Sequence, residues 1–106
     1  MSKDRRPPSE CKTMDQLRLS IDDLDRELVH LLAQRARYID RAAALKLDNG
    51  WPARIPERVS QVIDNAVQCA QENALDPRLV QEIWTTMIEW SIAREDNVFD
   101  DVRAAK

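Results

Sequence analysis

The feature that most constrains this chain is one seam of apolar residues running for about 35 positions without a glycine or proline. Leu17, Ile21, Leu24, Leu28, Leu31, Tyr38, Ala42 and Leu45 are spaced alternately by four and three once position 35 is counted. That is the period of a long amphipathic helix. Thr13-Met14-Asp15-Gln16 opens it as a capping box, a hydroxyl at the N-cap with Gln three residues on. Asp48-Asn49-Gly50 stops it, and Trp51-Pro52 cannot continue it. At 1.5 Å per residue the helix is roughly 50 Å long. A compact chain of this size has a radius of gyration of about 13 Å and is some 35 Å across. The overhanging seam needs cover, and a second copy of the same helix is the simplest cover. The expectation is an intertwined homodimer.

The rest of the chain also reads as helix. Pro56 opens a second helix with the stripe Val59, Val62, Ile63, Ala66, Cys69 and Ala70, ending near Asn73. Asp76-Pro77 starts a third, with Val80, Ile83, Trp84, Met87, Ile88, Ser91 and Val98 inward, ending near Phe99. Gly50 is the single glycine, so the turn residues that hairpins need are missing. The fold class is therefore all-α, with three helices. Residues 1–12 are expected to be a disordered arm, 13–99 the helical domain and 100–106 a frayed tail.

Nineteen acidic residues against sixteen basic give a net charge of −3, which disfavours nucleic acid and acidic membranes as partners. Cys11 and Cys69 are too few for a disulfide framework or a zinc site, and both read as reduced and structural, Cys69 packed in its helix. The first 20 residues hold no apolar signal or membrane-spanning run, so a cytoplasmic location is expected.

Charges stand where the seam should be apolar. Arg35 occupies a seam position, four after Leu31 and three before Tyr38. It either snorkels to the rim or enters a site. Lys46 follows by eleven residues, about 16 Å along the axis and about 20° from the same direction. Arg18 lies about 25 Å from Arg35 on that helix, so no small molecule bridges the two within one chain. Arg18 reaches a ligand of Arg35 only from an antiparallel partner chain; otherwise it is an exposed first-turn arginine. On the third helix Ser91 and Glu95 continue the apolar stripe. A carboxylate there is a structural ion pair to an arginine or the polar wall of the cavity that Arg35 and Lys46 enter. His30 has no ligand at metal spacing and reads as surface. The three tryptophans read as core on the third helix and, at Trp51, as a loop plug. No metal or cofactor is expected.

Arg18, Arg35 and Lys46 on one long helix, with a polar residue near the end of the third, resemble the all-helical class of chorismate mutases. Leu17-Arg18, Ile21-Asp22, Asp25, Leu31-Leu32, Pro56-Glu57-Arg58 and Glu72-Asn73-x-Leu75-Asp76 carry the likeness further, from about Thr13 to Phe99. The Cys11 arm, Ile55-Pro56-Glu57-Arg58 and Ile88-x-Trp90 resemble the isochorismate-pyruvate lyase branch, whose members make salicylate and also show mutase activity. The resemblance implies a dimer with two shared sites, each holding a cyclohexadiene dicarboxylate, chorismate or isochorismate. Arg35 would bind one carboxylate and Arg18 of the other chain the second, each through the bidentate fork of a guanidinium. Lys46 would donate to the ether oxygen as its bond to carbon breaks, with Ser91 and Glu57 near the ring. A Claisen rearrangement is intramolecular and needs restraint and charge stabilisation only.

Two positions depart from the pattern. Where the lyase branch has Gln this chain has Glu95, which must be protonated to donate to the ether oxygen. Many mutases carry an arginine at the start of the second helix; this chain has Pro56 there, and Arg54, two residues earlier, is the candidate substitute. Glu95 favours the mutase, the arm and loop the lyase. A non-enzymatic helical dimer is the reading of another class, and it requires Arg18, Arg35 and Lys46 to be exposed and dispensable.

Overall fold

The structure is a computed structural model and describes residues 5–105. It contains a 3-10 turn at Pro8–Glu10 and three α-helices: α1 (Met14–Asn49), α2 (Pro56–Glu72) and α3 (Pro77–Ala104). Among the described residues there is no strand. The chain divides into two compact units, with the boundary between Arg37 and Tyr38.

In the first unit α1 begins as its cap residues dictate. The Gln16 N–H donates to Thr13 Oγ1 at 3.1 Å. The Gln16 side chain accepts from the Lys12 N–H at 2.7 Å, one residue before the N-cap itself. The arm expected to be disordered carries the 3-10 turn. Arg5 is ion-paired with Glu27 at 2.8 Å and Asp23 at 3.3 Å, and Cys11 Sγ lies 3.8 Å from Ser20 Oγ. Residues 1–4 lie outside the described residues. No described residue of this unit is buried. Leu24, Leu28 and Leu31 are 43%, 51% and 56% exposed, so the seam finds no cover there.

The second unit holds the end of α1, α2 and α3. Ala43, Ala53, Ile88, Ile92 and Phe99 form one buried cluster, with Val59, Val62, Ile63 and Val98 packed against it. Ala66, Ala70 and Val80 form another, flanked by Trp84. The expected stripes hold in the main, with corrections. Cys69 is exposed, because Ala66 and Ala70, one turn apart, carry the α2 contact. Ile83 and Trp90, both expected inside, are 46% and 51% exposed, with Val80 and Trp84 making the contact on α3. Trp51 is 55% exposed; the Ala53 methyl, not the indole, fills the core beneath the loop. The third helix continues past Phe99 to Ala104, supported by an Arg103–Asp100 pair at 3.2 Å; Lys106 lies outside the described residues.

The C-terminal ends of α1 and α2 close by the same hydrogen-bond pattern. At α1 the Trp51 N–H donates to the Lys46 carbonyl at 2.9 Å and the Gly50 N–H to that of Leu47 at 3.3 Å, with Gly50 at φ +69°. This is a Schellman motif, which needs a left-handed residue after the cap. At α2 the Leu75 N–H donates to Ala70 at 2.9 Å and the Ala74 N–H to Gln71 at 3.2 Å. There the left-handed residue is Ala74, at φ 55°, where a Cβ is unfavourable. The third helix is capped by the Asp76 carboxylate, which accepts from the Arg78 N–H at 2.9 Å.

Candidate active site

The Schellman turn puts Lys46 on the last turn of α1, its ammonium aimed beneath the following loop. Its Nζ donates to Glu95 Oε1 at 2.6 Å and to the Ala53 carbonyl at 2.7 Å. The Lys46 side chain is 17% exposed and that of Glu95 4%. Ser91 lies one helical turn before Glu95, is buried, and donates its hydroxyl to the Met87 carbonyl at 2.9 Å. Lys46, Glu95 and Ser91 are thus buried or half-buried in one unit. Of the two readings of Glu95, the structure shows an ion pair, and its partner is a lysine rather than an arginine.

The remaining expected residues are placed as follows. Arg54 faces Glu89 on α3 with two parallel bonds, 2.9 Å and 2.6 Å. That hydrogen bond holds the Glu89 carboxyl below its ordinary range. Glu57 is exposed in the first turn of α2. Arg35 is half-buried and Arg18 exposed, both on α1 in the first unit. His30 is exposed and hydrogen-bonded to Gln34 at 2.9 Å. Two open surface hollows, of about 400 Å³ beside Arg5 and Ser20 and about 490 Å³ beside Arg78 and Thr85, include none of the expected site residues.

Three features were not read from the sequence. The Ala53 carbonyl is a backbone acceptor and has no sequence signature. Glu89 is an ordinary exposed glutamate until the loop brings Arg54 to it. Arg94 pairs with Asp40 through two bonds, the longer 3.0 Å, and its guanidinium lies 5.3 Å from the centre of the Trp90 ring. The Arg94 bond also holds the Asp40 carboxyl below its ordinary range.

Chemically, the buried pair offers a cation held at one point beside a carboxylate and a hydroxyl. Such a group stabilises negative charge developing on a substrate oxygen in a place with little water. Residues 17–96 match the sequence profile of the chorismate mutase type II family.

The chain belongs to that family. The span includes Arg18, Arg35, Lys46, Arg54, Glu57, Ser91 and Glu95, and membership makes the chain an enzyme of this kind. Among curated relatives, it is 30% identical over 99 residues to an isochorismate pyruvate lyase of Pseudomonas aeruginosa, covering 92% of this chain and 96% of that one. It is 24% identical over 88 residues to a chorismate mutase of Methanocaldococcus jannaschii, covering 83% and 89%. It is 27% identical over 90 residues to a 4-amino-4-deoxychorismate mutase of Streptomyces pristinaespiralis, covering 85% and 70%. Among the described residues no helix is long and apolar enough to cross a membrane.

Proposed function

We propose that this enzyme is a chorismate mutase, rearranging chorismate to prephenate. The observation that carries the reading is the Lys46 ammonium, buried beside Glu95 and Ser91 in a family whose substrate has an ether oxygen to stabilise. In the rearrangement the ether C–O bond breaks as a C–C bond forms within the same molecule, with no net transfer of protons or electrons to the protein. Lys46 donates to the ether oxygen, most strongly as charge builds there. Arg35 takes one carboxylate, Arg18 of a second copy takes the other, and Ser91 and Glu57 lie near the ring. A second copy is the occupant we propose for the exposed leucines of α1, and the separation of Arg18 from Arg35, about 25 Å of helix, supports a shared site. A cytoplasmic location goes with this reading.

A second reading is favoured by the likeness to the lyase relative over nearly its whole length. In it the substrate is isochorismate. The same C–O bond breaks and a ring hydrogen passes to the departing enolpyruvyl group, leaving salicylate and pyruvate. The purified protein, given chorismate and isochorismate separately with products separated by chromatography, decides. Prephenate from chorismate as the faster reaction supports the mutase. Salicylate and pyruvate from isochorismate as the faster one replaces it with the lyase. Turnover of neither substrate overturns both.

A further inference from the structure

A lysine side chain has four rotatable bonds and a strongly hydrated head, so burial alone does not fix its ammonium in space. In the second unit two acceptors fix it, Glu95 on α3 and the carbonyl of Ala53 in the loop after α1. The Glu95 acceptor stands on a helix. The Ala53 acceptor stands on irregular backbone. Among the described residues, backbone hydrogen bonds hold this loop at Trp51, to Lys46, and again at Arg58, to Ile55, but not at Ala53 or Arg54. Two side chains supply the missing restraint. The Ala53 methyl is buried among Ala43, Ile88, Ile92 and Phe99. The next residue, Arg54, meets Glu89 of α3 with both terminal guanidinium nitrogens, Nη1 and Nη2. A bidentate pair fixes orientation as well as distance.

We propose that the Arg54–Glu89 pair is a clamp that fastens the loop to α3 and so holds the Ala53 carbonyl on the Lys46 ammonium. Arg54 is then a positioning residue for Lys46, acting through the loop, and is not a ligand of a substrate carboxylate. The proposal rests on the reading of Lys46 given above. Its geometry gives a distinctive expectation. Both partners are about half exposed, so the pair adds little to stability. Its loss displaces an ammonium that has to meet one atom of a transition state, and small misplacements of this kind cost up to about a hundredfold in rate.

The test uses the full chain with Arg54→Ala, Glu89→Gln and the exchanged pair Arg54→Glu/Glu89→Arg. Arg54→Ala is also made in a Lys46→Ala background. Turnover of chorismate and isochorismate is read as kcat and KM, beside the melting temperature and the backbone order parameters of Ala53 and Arg54. The expected result is a fall in kcat of about ten- to a hundredfold in each single variant. KM stays within about twofold, the melting temperature moves little, and the order parameters drop from about 0.85 to below about 0.6. The exchanged pair recovers most of the loss, and Arg54→Ala costs nothing further once Lys46 is gone. A raised KM with kcat kept makes Arg54 a substrate ligand and overturns the clamp. So does an equal loss with and without Lys46, or an unchanged kcat. Should Arg54→Ala fail to fold, Glu89→Gln carries the same reading, since it removes a charge and keeps the shape. If the wild type turns over neither substrate, the functional reading falls by itself. The order parameters then decide the clamp: unchanged order at Ala53 and Arg54 in the variants overturns it.

Discussion

Lys46 and Glu95 lie 49 positions apart in the chain and meet at 2.6 Å, with the carboxylate nearly out of contact with solvent. A substrate ether oxygen that takes a bond from Lys46 has to share the ammonium with Glu95 and Ala53. The ammonium has three donor hydrogens, two of which are engaged, so one remains for a third acceptor.

Lys46→Ala removes that donor. Turnover should fall by about 10²–10³ with a smaller change in KM, because the interaction strengthens as charge develops. It also strands the Glu95 carboxylate, and breaking a buried pair costs about 3–5 kcal/mol. The double variant Lys46→Ala/Glu95→Gln should regain most of the melting temperature and none of the rate. Near wild-type turnover in the folded double variant would remove Lys46 from the chemistry.

Glu95→Gln tests the other half of the pair. In the ion pair the carboxylate accepts from Lys46 and has no proton to give an ether oxygen, whereas an amide accepts with its oxygen and donates with its nitrogen. The Gln variant should therefore keep Lys46 in place and match or exceed wild-type kcat, with KM changed little. Steady-state kinetics of the folded variant read this directly. A Gln variant inactive although folded means that the charge of Glu95 is needed to hold Lys46.

Arg18→Ala and Arg35→Ala chains should each be inactive alone. Mixed under conditions that exchange subunits, they should recover up to about a quarter of wild-type activity, since one of the two sites in a mixed dimer carries both arginines. Mixed dimers shown to form without any gain in activity would rule out a site shared between chains.

The two left-handed helix ends predict opposite stability changes. Ala74→Gly relieves a Cβ at φ 55° and should stabilise by about 1 kcal/mol, a rise of roughly 4–8 °C in melting temperature. Gly50→Ala should cost about as much. An added Cβ there meets no atom within 4 Å, so the cost is conformational alone. Calorimetry that finds Ala74→Gly neutral would show that the turn relaxes out of the left-handed region.

Asp40 is bound by Arg94 and titrates below its ordinary value. A carboxyl depressed on folding contributes stability above its unfolded pKa, and the contribution is lost as pH falls through the folded one. Wild type should melt only slightly above Asp40→Asn at pH 7, since both groups are about half exposed, and the gap should close as pH falls below the ordinary carboxylate range. High salt should shrink the gap as well. A gap unchanged in acid would point to packing rather than charge.

Sequence alone determined the helices, because the signals that start and stop them act within four residues. Thr13 caps, Gly50 stops, Pro56 starts, and Asp76-Pro77 caps and starts again, each by a hydrogen bond or dihedral preference local to the chain. Sequence also marked Lys46, Ser91 and Glu95 as polar groups on apolar stripes, since a helix repeats every 3.6 residues and burial follows that period. It did not stop α3 at Phe99, where no breaking residue stands. It misjudged Cys69, Ile83, Trp90 and Trp51, because which of several apolar neighbours is buried depends on the surface packed against them. Tertiary structure alone decided the partners. Glu95 meets a lysine, Arg54 meets Glu89, and the carbonyl over Lys46 belongs to Ala53. Each pairing depends on the path of a six-residue loop and on which faces α1 and α3 present in the second unit. No pattern along the chain encodes those relations, because they join residues separated by seven to 49 positions.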